Sequence, residues 1–227
     1  MMKVSSIVIW LGALIATAWL VVNIQVFSWP VSGVDIEKTG RHISNSEIID
    51  LVDPLLEDGW LSLNINAVQA QIAAMPWVER VQVYRVFPDR LALRIEEKVP
   101  VARFGEAALI SKTGKCFEPA SLVEIGSLPR LEVEYADLAL GYKGLLQVQA
   151  LLSSEATLPQ DMEVVRYQAD IGWDVFFHSG LLVRLGPSSV ERSLAKWAYY
   201  YPKILRHKHG KLPKKIDMRY ANGAAVN

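Results

Sequence analysis

Residues 76–102 read PWVERVQVYRVFPDRLALRIEEKVPVA, and this stretch decides the fold. Its period is two. Val81, Val83 and Phe87 fall on one side, with Arg80, Gln82 and Arg85 between them, as in a half-buried strand. Pro88-Asp89 supplies a turn, after which Leu91, Leu93 and Ile95 alternate with Arg90, Arg94 and Glu96. Two strands joined by a tight turn follow. Upstream, Val34-Asp35-Ile36-Glu37-Lys38 alternates in the same way and is ended by Gly40. Ser44-Asn45-Ser46-Glu47 is a capping box, with Ile43 and Ile48 placed as a hydrophobic staple. Ile48, Ile49, Leu51, Val52, Leu55 and Leu56 continue at helical spacing until Gly59. A second helix begins near Asn66, carries Val68, Ile72 and Met75, and closes at Pro76. The order is strand, helix, helix, strand, strand within about seventy residues.

Further upstream the composition changes. No charged residue stands between Lys3 and Asp35, and Val4 to Val22 is apolar except for Ser5, Ser6 and Thr17. Nineteen helical residues span ~28 Å, against ~30 Å for a bilayer's hydrocarbon core. Trp29 suits the membrane interface and Pro30 ends any helix. A cleaved signal peptide competes with this reading, since Ala16-Thr17-Ala18 resembles a cleavage site. The apolar run continues past it through Trp19-Leu20-Val21-Val22, which favours an uncleaved anchor. Lys3 on one side and Asp35 and Glu37 on the other place the amino terminus in the cytoplasm and the bulk of the chain outside it. The expected organisation is a tail over 1–3, a transmembrane helix over 4–22, a first unit over 31–101 and a second over 102–227.

The second unit reads as a mixed sheet with helices. A hairpin runs from Ala107 to Phe117 around Lys112-Thr113-Gly114, and Leu131-Glu132-Val133 is a further strand. Gly144 to Leu152 is helical in spacing. Residues 162–186 form a three-strand meander with a turn at Ser179-Gly180. Ser188-Ser189-Val190-Glu191 reads as a second capping box, opening a helix with Val190, Leu194, Trp197 and Tyr201 on one stripe and Pro202 at its end. Lys215 to Tyr220 is the final strand. The fold class is α+β.

The 227 residues are 51% hydrophobic and 21% charged, enough apolar material for well-filled cores. Lysine plus arginine and aspartate plus glutamate are equal at 24 each, so no whole-protein field draws in nucleic acid. Cys116 is alone, which rules out an internal disulfide, and it reads as a small buried hydrophobe. Signatures of chemistry are missing. His42, His178, His207 and His209 fit no His-Glu-x-x-His pattern, and no nucleophile elbow, Walker loop or Gly-x-Gly-x-x-Gly occurs. Glu96-Glu97 and Glu132-x-Glu134 read as solvated strand charges, and the basic run Arg206 to Lys211 as a solvated loop. No catalytic residue, metal site or cofactor is expected, and the chain is read as a binding protein.

Three motifs carry a resemblance. Pro76-Trp77-Val78, Val83-x-Arg85-x-Phe87-Pro88-x-x-Leu91 and Glu97-x-x-Pro100-Val101-Ala102, in this order, resemble a POTRA domain, specifically that of the FtsQ/DivIB family of bacterial cell-division proteins. Leu185-Gly186 before a capped helix, and the terminal Ile216-Asp217-x-Arg219-Tyr220-x-x-Gly223-x-Ala225-Val226, resemble the second domain of the same family. The resemblance implies a non-catalytic scaffold in the inner membrane at the division septum, with FtsB-like and FtsL-like single-span proteins as partners. It further implies that a partner segment adds to the last strand as an extra strand. Carried onto matching positions, Arg219 pairs with a partner carboxylate and Tyr220 packs on an apolar partner residue, while Asn222, Gly223 and Ala224 let the partner backbone approach. The rival is a POTRA-containing polypeptide-binding protein of envelope assembly or secretion. Such proteins lead into a transmembrane β-barrel, whose regular lipid-facing strands are not evident in the remaining sequence.

Overall fold

A computed structural model describes residues 10–17, 19, 30–57, 59–121, 126–207, 212–220 and 223–227. Among them no helix is long and apolar enough to cross a membrane. The tail expected over 1–3 and much of the span expected over 4–22, namely residues 4–9, 18 and 20–22, lie outside the described residues. Residues 10–17 are helical, with Trp10, Leu11, Leu14 and Ile15 exposed. The chain divides into two compact units, Met1–Lys98 and Val99–Asn227. The sequence puts the junction after residue 101; Pro100–Phe104 instead forms the first strand of the second unit's sheet.

In the first unit the elements are β1 (Gly33–Lys38), α1 (Asn45–Leu56), α2 (Ile65–Ala73), β2 (Val78–Val86) and β3 (Arg90–Glu97). The sheet order is β1-β3-β2, with β3 parallel to β1 and antiparallel to β2. The local signals hold. The Glu47 N–H donates to Ser44 Oγ at 3.1 Å and the Ser44 N–H to Glu47 Oε2 at 2.9 Å, which closes the capping box. Ile43 and Ile48 are both buried, as a staple requires. Val81, Val83, Leu91, Leu93 and Ile95 face the helices' Ile48, Val52, Val68 and Ile72 in one core. Phe87 does not join them and is 77% exposed, because it lies in the turn beyond the end of β2.

Glu97 corrects the reading of Glu96-Glu97 as solvated charges: it is only 7% exposed. Its carboxylate accepts the backbone N–H groups of His42 at 3.0 Å and Ile43 at 3.4 Å, and its Oε2 lies 3.1 Å from His42 Nδ1. The His42 ring stacks on Trp77 at 3.7 Å. Gly40 makes this possible, since a Cβ there would lie 2.0 Å from Glu97 Oε2. The carboxylate thus satisfies backbone donors of the β1–α1 loop that would otherwise be buried unpaired. Glu97→Ala is expected to cost the first unit about 2–3 kcal/mol. Thermal melting checks this, and Glu97→Gln, which keeps one acceptor oxygen, loses less.

The second unit comprises β4 (Pro100–Phe104), β5 (Ala108–Ser111), β6 (Cys116–Phe117), β7 (Arg130–Glu132), α3 (Leu138–Ser154), β8 (Met162–Gln168), β9 (Gly172–Phe177), β10 (Leu182–Gly186), α4 (Val190–His207), β11 (Lys215–Asp217) and β12 (Ala225–Val226). Its nine-stranded sheet runs β12-β11-β10-β9-β8-β7-β4-β5-β6. α3 connects the parallel pair β7 and β8, and α4 the parallel pair β10 and β11. The meander β8-β9-β10 is antiparallel as expected.

The registers align two rows across six strands. Leu131, Val165, Val175, Val183, Ile216 and Val226 form one. The first five are buried in a common core with Leu145, Val148 and Leu152 of α3 and Leu194, Trp197 and Tyr201 of α4. At the adjacent register position, Glu132, Arg166, Asp174, Arg184, Asp217 and Ala225 form the second row, on the opposite face. Charge alternates along it until Ala225. Arg166 Nε donates to Glu132 at 2.7 Å, and Arg184 Nε and Nη2 donate to the buried Asp174 at 3.1 and 3.2 Å. Glu132 therefore has a partner in Arg166 that its own strand does not reveal.

Several boundaries move. Pro202 lies inside α4, which runs on to His207, because Ile204 and Leu205 still pack on the core. The cap of α4 is displaced by one: the Arg192 N–H donates to Ser189 Oγ at 3.4 Å, not to Ser188. The Ser189 hydroxyl, the Glu191 backbone and Gln147 together hold the Glu191 carboxyl down to about 2. Cys116 is half-buried, not buried, and burial followed by the Glu118 charge pushes its thiol up. Such a thiol is a poor nucleophile at neutral pH.

Candidate partner-binding edge

The strand expected over Lys215–Tyr220 stops at Asp217. The cause is Asp217 itself: its Oδ1 accepts the backbone N–H of Arg219 at 3.1 Å, a side-chain turn that competes with the ladder. β11 is therefore not the edge of the sheet. It has β10 on one side and β12 on the other, and among the described residues β12 is the terminal strand.

The ladder fixes which backbone groups of β12 remain outward. The Asn227 N–H donates to the Lys215 carbonyl at 3.1 Å and the Lys215 N–H to the Asn227 carbonyl at 3.3 Å, a hydrogen-bonded pair. Its neighbours Ile216 and Val226 are then a non-hydrogen-bonded pair. Val226 accordingly turns its N–H and C=O away from β11.

Arg219 is held within the chain. Its Nε donates to both Asp217 oxygens at 2.9 and 3.1 Å and its Nη2 to Oδ2 at 2.7 Å, so it does not await a first carboxylate. Its stem lies over Gly186, where a Cβ would approach Arg219 Cγ to 2.6 Å. The Arg219 hydrogen bonds are the leading cause that holds the Asp217 carboxyl below its ordinary value of 3.8, and Asp217 in turn raises the guanidinium. A depressed carboxyl contributes stability that is fully present above its unfolded pKa and lost as pH falls through the folded one. The ribbon is therefore expected to stay closed down to about pH 3.8 and to loosen below it. A carboxyl-carbon NMR titration checks this: the Asp217 midpoint lies below 3.8 and rises in Arg219→Ala.

The remaining residues fall differently around this edge. Tyr220 is 57% exposed and does not fill the core. Among the described residues a Cβ on Gly223 would meet nothing within 4 Å. Ala224 is half-buried against the core. Asn222 lies outside the described residues, as do 208–211 of the basic run. Sequence reasoning misses Lys196, whose ammonium donates to the carbonyls of Met218, at 2.8 Å, and Tyr220, tying the segment after β11 to α4. It misses Asp217 as well, although the spacing Asp-x-Arg offers a signal.

Comparison with known proteins gives the family. The family profile "POTRA domain, FtsQ-type" matches residues 29–98, and "Cell division protein FtsQ/DivIB, C-terminal" matches residues 101–219. The chain belongs to the FtsQ/DivIB family of cell-division proteins. Among similar proteins, the cell division protein FtsQ of Hahella chejuensis is 26% identical over 226 residues, covering 100% of this chain and 78% of that protein. FtsQ of Coxiella burnetii is 25% identical over 197 residues, covering 87% and 79%. FtsQ of Escherichia coli is 26% identical over 205 residues, covering 87% and 72%. The FtsQ/DivIB C-terminal match ends at Arg219, whereas the Hahella alignment extends through the ribbon that carries β12.

Proposed function

We propose that this chain is a membrane-tethered, non-catalytic scaffold of the division machinery that takes up a partner segment as a strand added to β12. The anchor is the apolar run 4–22, with the amino terminus cytoplasmic and both folded units outside, in the inner membrane at the septum. The partners are small single-span proteins of the FtsB and FtsL type, confined to the same membrane surface and so raised in effective concentration.

One observation carries this reading: β12 is a two-residue edge strand whose Val226 backbone turns outward. An unpaired edge is a template for β-augmentation, with backbone bonds supplying affinity and side chains specificity. Exposed Tyr220 and uncrowded Gly223 stand beside it as an anchor ring and a close-approach point. The Asp217 clamp uses two of the five N–H donors of Arg219, leaving others for a partner acceptor. Family membership favours division over the envelope-assembly alternative. Depletion separates them: filamentous cells are expected, whereas outer-membrane defects without filaments would support the alternative.

A further inference from the structure

The turn between β2 and β3 carries apolar side chains that the first unit does not cover. Phe87 is 77% exposed, Leu61 45% and Val86 39%, and the Trp60 ring meets Phe87 edge-on at 6.3 Å. The projection is built, not loose. The Trp60 indole N–H donates to the Arg90 carbonyl at 2.8 Å. Arg85 donates to the carbonyls of Trp60, Leu61 and Leu63 at 3.0, 3.2 and 2.6 Å. These bonds join the α1–α2 loop to the hairpin, and bonds to neutral carbonyls orient the guanidinium without cancelling its charge.

Its position in the chain supplies the occupant. The Ser32 N–H donates to the Asp89 carbonyl at 2.9 Å, and Gly33 pairs with Arg90, so the tip sits where the chain enters the unit. Upstream there is no charge back to Lys3, and Trp29 stands three residues before Ser32. Three residues reach at most about 11 Å. With the anchor in the bilayer and Trp29 at its interface, the tip is held at the membrane surface. Aromatic and aliphatic side chains beside a cation are what a lipid interface accepts.

We propose that Trp60, Leu61, Val86 and Phe87 form a second, peripheral contact with the lipid surface. Phe87 and Leu61 enter the headgroup–acyl boundary, Arg85 meets lipid phosphates, and the first unit is thereby fixed in orientation on the bilayer. This rests on the anchor reading, and the test separates the two.

The full chain in a Cys116→Ser background is reconstituted into phosphatidylethanolamine–phosphatidylglycerol bilayers. A nitroxide is placed in turn at Val86→Cys, at Leu14→Cys in the anchor and at Asp53→Cys on the exposed side of α1. Power saturation with oxygen and a water-soluble nickel chelate reads depth. The expected result is a label at 86 shielded from nickel several-fold relative to 53, with that shielding lost on adding Phe87→Ser. A label at 86 as open to nickel as 53, with 14 in lipid, overturns the contact and leaves the anchor. Aqueous labels at both 14 and 86 overturn both. Shielding at 86 that survives Phe87→Ser overturns the assignment to this tip. Phe87 makes no contribution to the core, so its substitution leaves the fold intact, which circular dichroism verifies.

Discussion

Gly144→Ala lowers the melting temperature of the second unit by roughly 8 °C, although alanine is the better helix former. A Cβ on Gly144 would lie 2.0, 2.3 and 2.7 Å from Cη2, Cζ3 and Cζ2 of Trp173. The ring is buried and packed at 4.8 Å against Tyr167, so moving it aside disturbs the core. Helix propensity returns about 1 kcal/mol. Forcing the overlap costs about 3 kcal/mol, so the clash wins by about 2, which for a domain of this size gives the stated shift. The mechanism is checked by a double-mutant cycle. Trp173→Phe removes the atoms in conflict, so Gly144→Ala in that background costs much less than in the parent. A stabilised single mutant would mean that α3 does not approach β9 at Gly144.

Val226→Pro is expected to weaken partner association about tenfold or more while leaving the melting temperature nearly unchanged. Proline removes one N–H, and the register puts the Val226 N–H on the side away from β11. The intrachain ladder therefore survives. An added strand, however, loses a backbone acceptor–donor pair and meets the ring, and 1.4 kcal/mol is a tenfold loss. Asn227→Pro is the control in the opposite sense. Its N–H is bonded to the Lys215 carbonyl, so that substitution frays the ribbon itself.

How much of this is legible in the sequence follows from the range of each interaction. The box at Ser44 and Glu47 is local, three residues apart, and the hydrogen bonds match it atom for atom. The order of elements in the first unit follows from alternation, helical spacing and the cap, and the meander over 162–186 from alternation and turn residues. Glu97 fails because its role is set by a loop more than fifty residues away, and no periodicity encodes that. Glu132 fails likewise: it reads as a solvated strand charge until the register sets it beside Arg166, and the alternating row on to Asp217 is visible only once the strands are paired. Pro202 misleads because packing of Ile204 and Leu205 outweighs one lost backbone bond.

The candidate site shows the same division. Alternation predicts a strand through Tyr220, but the Asp217 side chain captures the Arg219 N–H and ends it. The chain then returns, and the edge passes to Ala225–Val226. The residues named from the resemblance lie at or between these two strands, with Tyr220 exposed, Gly223 uncrowded, Ala224 half-buried and Arg219 already engaged. Asp217 and Lys196 set the shape of that segment; the Asp-x-Arg spacing is the one local signal for the first, and nothing in the sequence marks the second.

Amide exchange at Val226, followed by NMR with and without a partner peptide of the FtsB type, addresses the edge itself. The Val226 N–H is expected to exchange fast in the free protein and to become strongly protected in the complex. Saturating binding with Val226 exchange unchanged would contradict this, and would place the partner on a surface other than the end of the sheet.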